Sequence, residues 1–216
     1  MGEIALNDDT LIDAIYEAAV VPERWPVVLH DLATSVEAAH GCFFSFHGDV
    51  TQWTGSALGA ELIREWIAIE PRPLNTRSQR AFARHHSGFL TDLDIFTESE
   101  IADDPFYRDF LHPRGYGWCA GAFIDVPSGG ALVYSVERHL ERGPIEPGFI
   151  AYLDSLRPHL ARAAVLAAQL GLERARAMAQ ALEAIDLPAA GFRHNGPVHA
   201  AHPSFRPLLP PARPER

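Results

Sequence analysis

Eleven histidines, two cysteines and twenty-eight acidic side chains are the groups through which this chain could do covalent or metal chemistry. Their spacing argues against both. His85 and His86 are adjacent, so in an extended loop their rings diverge, and no H-x-x-x-H or C-x-x-C spacing occurs, so no metal site is expected. Cys42 and Cys119 lie far apart inside apolar runs, which predicts buried, reduced thiols rather than a disulfide. Asp92 and Asp94 have the spacing of paired acids on one face of a strand, and Asp103-Asp104 precede a helix. The favoured reading is a loop turn for the first pair and helix N-terminal charge for the second. His159 is read as a helix-surface residue rather than a proton sensor. Gly-x-Ser-x-Gly, phosphate-loop and GxGxxG motifs are missing, so nothing nominates a nucleophile with its base; neither an enzyme nor a cofactor is expected. What remains is aromatic. Trp53, Trp66, Phe89, Tyr107, Trp118 and Tyr134 are the candidate ligand-binding residues, with Phe106 beside them, because small-molecule pockets are mostly apolar with a few polar groups. Tyr107, Trp118 and Tyr134 stand out because their polar atoms need partners when buried; the competing reading is that each ring is ordinary core.

These residues need a scaffold, and 216 residues with 47% apolar content are enough for one substantial core plus a helical extension. Leu11, Ile12, Ile15, Ala18 and Ala19 form one helical stripe, and Pro22 opens a second in which Trp25, Val28, Leu29, Leu32, Ala33 and Val36 recur, predicting a helical hairpin. Cys42 to His47 reads as a buried strand with Val50 to Thr54 as its hairpin partner. Leu62, Ile63, Trp66, Ile67 and Ile69 predict a helix that stops before Pro71 and Pro73; 75–83 is a further helical piece and 88–91 a short strand. Thr97 and Glu100 have the capping-box spacing. Strands follow at 118–126 and 130–137, joined by a turn at Pro127-Ser128-Gly129-Gly130. From 145 to 185 the chain is helix-compatible. There Leu153, Leu156, Leu160, Ala163, Ala167 and Leu170 make a coiled-coil seam, predicted as a dimer interface, with Pro158 and Gly171 as weak points. A small hairpin around Asn195-Gly196 and a proline-rich, disordered tail complete the reading. The expected domains are 1–144, 145–186 and 187–216.

Three phrases then fall in a familiar order. Ile12-Asp13-Ala14-Ile15-Tyr16-Glu17-Ala18-Ala19 with Pro22-Glu23-Arg24-Trp25, Asp103-Asp104-Pro105-Phe106-Tyr107-Arg108-Asp109-Phe110, and Leu156-Arg157-Pro158-His159-Leu160-Ala161-Arg162-Ala163 resemble the N-terminal sensory region of LuxR-type helix-turn-helix transcriptional regulators. The resemblance spans roughly residues 9–200. It implies an α/β (α+β) fold: a PAS/GAF-like antiparallel sheet flanked by helices, with the N-terminal hairpin and a long C-terminal signalling helix. It also implies a bacterial, cytoplasmic regulatory module that takes a small organic ligand and pairs as a homodimer or as a heterodimer with a related regulator. An interaction module that binds no ligand is the alternative. The segment 182–209 resembles the start of a further PAS-like segment, but Ala200-Ala201-His202-Pro203 departs from that pattern, and no DNA-binding domain is expected after it. The net charge of −10 agrees, since duplex affinity comes mostly from cations facing phosphates. The first residues lack a basic, apolar leader, and no uninterrupted run of 18 apolar residues exists, so neither secretion nor a membrane span is expected.

Overall fold

A computed structural model of the chain describes residues 8–47, 50–125, 130–184, 190–192 and 198–201. They divide into two compact units, 1–165 and 166–216. The turn expected at 127–129, the Asn195-Gly196 turn and the proline-rich tail lie outside the described residues.

The first unit opens with the predicted helical hairpin, α1 (Asp8–Val20) and α2 (Trp25–Thr34), joined by a 3-10 turn at Pro22–Arg24. Leu11, Ile15, Ala18 and Ala19 of α1 are buried with Trp25, Val28, Leu29, Leu32 and Ala33 of α2, the two stripes that the spacing named. The helical periodicity ends earlier than expected, at Thr34, where Glu37 takes a positive φ of 54°. Strands β1 (His40–His47) and β2 (Val50–Gly55) follow, then α3 (Ala57–Ala68), α4 (Arg77–Ala83), the two-residue β3 (Leu90–Thr91), α5 (Asp92–Ile95) and α6 (Glu98–Asp103). A π-helical segment, Phe106–Leu111, precedes β4 (Tyr116–Asp125) and β5 (Ala131–His139). The five strands form one antiparallel sheet in the order β2-β1-β5-β4-β3. The expected α/β architecture, an antiparallel sheet flanked by helices with a long C-terminal helix, is the observed one.

Register assigns each face of the sheet. Phe43 opposes Tyr134, which opposes Ala122, and these share a face with Gly41, Val136 and Ala120. Trp25 packs on both Phe43 and Tyr134, so this face carries the helical hairpin. The opposite face presents His40, Cys42 and Phe44 of β1, Val133, Ser135 and Glu137 of β5, and Cys119, Gly121 and Phe123 of β4. Two glycines let helices approach β1 from both sides. A Cβ on Gly41 would lie 2.5 Å from the Leu29 carbonyl oxygen of α2, and one on Gly59 of α3 would lie 2.7 Å from the Cys42 sulfur.

Helix α7 (Pro147–Ala184) contains Pro158 without interruption. Within the first unit its Leu153, Leu156, Leu160 and Ala163 are buried, and it is tied down by three polar contacts. Asp154 accepts from the Phe89 amide at 2.7 Å, Arg157 donates to the Phe123 carbonyl at 3.1 Å, and His159 meets the Tyr16 hydroxyl at 3.2 Å. This corrects the dimer-interface expectation for those four seam residues. The partner that their apolar stripe requires is the chain's own core, and they cannot also face a second copy without opening it. In the second unit, Ala167 and Leu170 are half-buried on α7. β6 (Ala190–Phe192) and β7 (Val198–Ala201) form an antiparallel pair there. Among the described residues, no helix is long and apolar enough to cross a membrane.

Candidate functional site

The sheet face away from the helical hairpin carries a polar floor that no periodicity announced. Arg77 opens α4 and reaches Glu137 on β5 with both guanidinium nitrogens, at 2.8 and 3.3 Å. It lies 3.9 Å from Asp92, and its Nε donates to Asn75 at 3.4 Å. Asp92, at the start of α5, is 2% exposed; its two oxygens accept from the Tyr107 hydroxyl at 2.6 Å and from the Cys119 amide at 2.7 Å. The guanidinium also lies over the rings of Phe106 and Tyr107, at 4.9 and 5.5 Å. One cation thus joins α4, α5, the π-helical segment and β5.

Local sequence explains each placement. Thr91 and Asp94 form a capping box, with Asp94 accepting from both the Thr91 amide and its hydroxyl at 2.7 Å, so a four-residue helix starts where a turn was expected. Asp94 spends its charge on that cap, which turns Asp92 inward. Thr97 and Glu100 make the second capping box, as their spacing predicted, and Glu100 is held down to about 2 by the Thr97 amide and the Arg80 guanidinium.

Burial sets the electrostatics. It raises Asp92 to about 7, against the opposing pull of Arg77. Arg77 loses from its own burial, yet Glu137 and the other acidic neighbours hold it well above its ordinary value, so it stays a cation. Burial pushes the Cys42 thiol up to about 12 and raises Cys119, Tyr107 and Tyr116 as well, so both thiols and both phenols are protonated. His40, directly across from Glu137, is lowered by burial and therefore neutral; its Nδ1 is 3.9 Å from the Cys42 sulfur and its Nε2 has no hydrogen-bond partner. Protonated thiols are poor nucleophiles and poor metal ligands.

Beside this floor the face is unevenly covered, with Cys42 and Val133 buried. β1, β5 and β4 are the interior strands of the sheet, yet Phe44, Ser135, Cys119, Gly121 and Phe123, which share the floor's side, are only half-buried. On the hairpin side, Tyr134, Val136, Ala120 and Ala122 are buried and Phe43 is half-buried.

The six predicted contact residues divide accordingly. Trp66 packs edge-on against Phe106, and both Trp66 and Trp118 lie half-buried against the cluster of Ile95, Phe96, Ile101, Phe106, Tyr107, Phe110 and Leu111. Trp66 donates to the Pro73 carbonyl and Trp118 to the Leu140 carbonyl. Trp53, on the edge strand β2, is half-buried with Arg64 over its ring. Tyr107 is fully buried and joins the floor through its hydrogen bond to Asp92 and its ring under Arg77. Phe89 is 2% exposed beside Asp154. Tyr134 lies on the other face, stacked on Phe43, so it does not join the rest. A separate shallow depression of about 350 Å³ is lined by Gly115, His139, Leu140 and Glu141. Arg77, Glu137 and His40 were missed in sequence; the available signal was Glu137, a charge two residues beyond Ser135 on the same face of an otherwise apolar strand. Among the described residues, no group of three or more candidate metal ligands occurs.

No family model and no curated protein matches the sequence. Solved structures do match. The ligand-binding (LBD) domain of VqsR from Pseudomonas aeruginosa superposes with a TM-score of 0.53 at 14% identity, over 74% of this chain and 94% of that one. SdiA from Escherichia coli superposes with a TM-score of 0.50 at 13% identity, over 74% of this chain and 67% of that one. The chain therefore has the fold of the VqsR ligand-binding domain and of SdiA, regulators of the LuxR type that its sequence phrases resemble.

Proposed function

We propose that this chain is a regulatory module that senses a small organic ligand in the hollow over the Arg77, Asp92 and Glu137 floor. The observation that carries the reading is the half-burial of Phe44, Gly121, Phe123 and Ser135 on interior strands, where a packed domain would bury them. Apolar walls with a few convergent polar groups are the usual make-up of such sites. The shared fold with a ligand-binding domain supports the same reading. Occupancy changes output only if the ligand binds one packing of the surrounding helices better than another. The output is transcriptional control in a bacterial cytoplasm. Ala167 and Leu170 are the seam residues proposed to pair with a second copy or a related regulator. A thermal-shift panel of small metabolites, run on the wild type and on Phe123→Ala, whose side chain lies on the floor's face, tests the ligand reading. A compound that raises the melting midpoint of the wild type and loses that effect in the variant is the expected result; no stabilisation by any compound, or equal stabilisation of both proteins, counts against it.

A further inference from the structure

The floor of the hollow is one positive charge short. Arg77 is its single guanidinium, and Glu137 takes it in a two-pronged pair. Asp92 lies 3.9 Å from Arg77, beyond hydrogen-bond reach, so its charge when ionised has no cation bonded to it. The other groups on this face add no positive charge: His40 is neutral, and Cys42, Cys119, Tyr107 and Tyr116 keep their protons. Arg64 and Arg72 stack on Trp53 and Trp66 with their own residues exposed, outside the floor. On α3 the nearest charges to Tyr116 are Glu61 and Glu65, of which Glu65 is paired with Arg114. An unbalanced carboxylate in a low-dielectric hollow is costly, and an arriving cation removes that cost. His40, 2% exposed and directly across from Glu137, also leaves Nε2 without a hydrogen-bond partner, an unfilled polar position on the same floor.

Resting on the ligand-sensing reading above, we propose that the ligand carries a positively charged head, an ammonium or amidinium on a small apolar body. The head seats against Glu137 and Asp92 beside Arg77, and the body lies on Phe44, Gly121 and Phe123. Access comes from the α4 side, because Arg77 and Glu137 keep 12% and 8% of their side chains exposed and α4 has no buried residue. Carboxylates, phosphates and other anions are disfavoured against the floor, since its Arg77 is already paired with Glu137.

The test compares three molecules that differ only in the head, hexylammonium, hexanol and hexanoate, by thermal shift and titration calorimetry on the full chain at one pH above 7.5. Charge-assisted hydrogen bonds are roughly twice as strong as neutral ones, so hexylammonium is expected to bind about tenfold more tightly than hexanol, and hexanoate not at all. In Asp92→Asn and in Glu137→Gln, each first checked for a cooperative melt, the ammonium should lose that advantage. Hexanoate binding as well as hexylammonium, or hexanol matching it on the wild type, overturns the cationic class while leaving the hollow intact. An ammonium preference that survives in a folded Asp92→Asn variant also overturns it, as a general attraction to an acidic protein. Failure of all three to bind overturns this proposal and removes the support of the hollow itself.

Discussion

At the scale of single residues, Asp92 is the group whose environment conflicts with itself. Both of its oxygens accept hydrogen bonds, which suits a carboxylate, while burial raises it to about 7, which suits the acid. Because its folded value lies above its ordinary one, its contribution to stability is complete below about pH 4 and is lost as pH rises through about 7. Urea denaturation of the wild type should therefore show a midpoint that falls between pH 5 and pH 8, and Asp92→Asn should flatten that fall. An equal slope in both proteins would place the titration elsewhere. The neighbouring pair makes a different prediction. Removing one member of a buried ion pair strands the other, at a cost of about 3–5 kcal/mol, whereas replacing both with apolar groups of similar volume costs much less. Arg77→Met and Glu137→Met should each destabilise by about that amount, and Arg77→Met/Glu137→Met by less than the sum of the single changes. Additive losses in chemical denaturation would mean that the two side chains act independently despite their 2.8 Å contact.

At the scale of elements, what sequence could reveal follows from which forces are local. The helical hairpin, the four longer strands, the Thr97 cap and α7 were legible because apolar periodicity and cap spacing lie within a few residues of each other. α5 was hidden because Asp92 and Asp94 have the same spacing in a strand as in this short helix, and only the Thr91 cap decides between them. α4 falls within the helical piece expected at 75–83, but its anchors were not legible: it has no buried residue and is held by Arg77 on Glu137, by Arg80 on Glu100 and the Ile95 carbonyl, and by guanidinium-to-ring contacts. The floor was invisible for the same reason. Arg77 and Glu137 are 60 residues apart, and register, not sequence proximity, brings His40 opposite Glu137. Elements held by a few polar anchors open at low cost. The amides of 77–83 are expected to exchange hydrogen well before those of 28–34, and a bound ligand should slow the former selectively. The seam of α7 also yields an element-scale test. Leu156→Ala or Leu160→Ala should cost about 2–5 kcal/mol, as buried leucines do. Leu170→Glu should leave the melting midpoint nearly unchanged, and a fall in its sedimentation mass would mark that position as the contact between copies.

For the whole molecule, the question is where the folding unit ends. The sequence reading expects a boundary at residue 144, before a long signalling helix at 145–186; we propose a later one. Burial points elsewhere. Leu153, Leu156, Leu160 and Ala163 are at most 1% exposed, and the compact unit runs to Val165, inside α7. Each buried leucine takes about 2 kcal/mol of transfer free energy into the core, so removing three of them together with Ala163 subtracts an amount comparable to the entire net stability of a domain of this size. Truncation after residue 165 should therefore leave a chain that melts cooperatively at a midpoint near that of the full protein. Truncation after residue 144 also strips the partners from the Phe89 amide and the Phe123 carbonyl, and should give a species with exposed apolar surface and no cooperative transition. Circular dichroism melts and dye binding on the two truncations distinguish these outcomes. A cooperative melt of the shorter chain would restore the first half of α7 to the role of a detachable rod, and with it the seam residues as a surface open to a second copy.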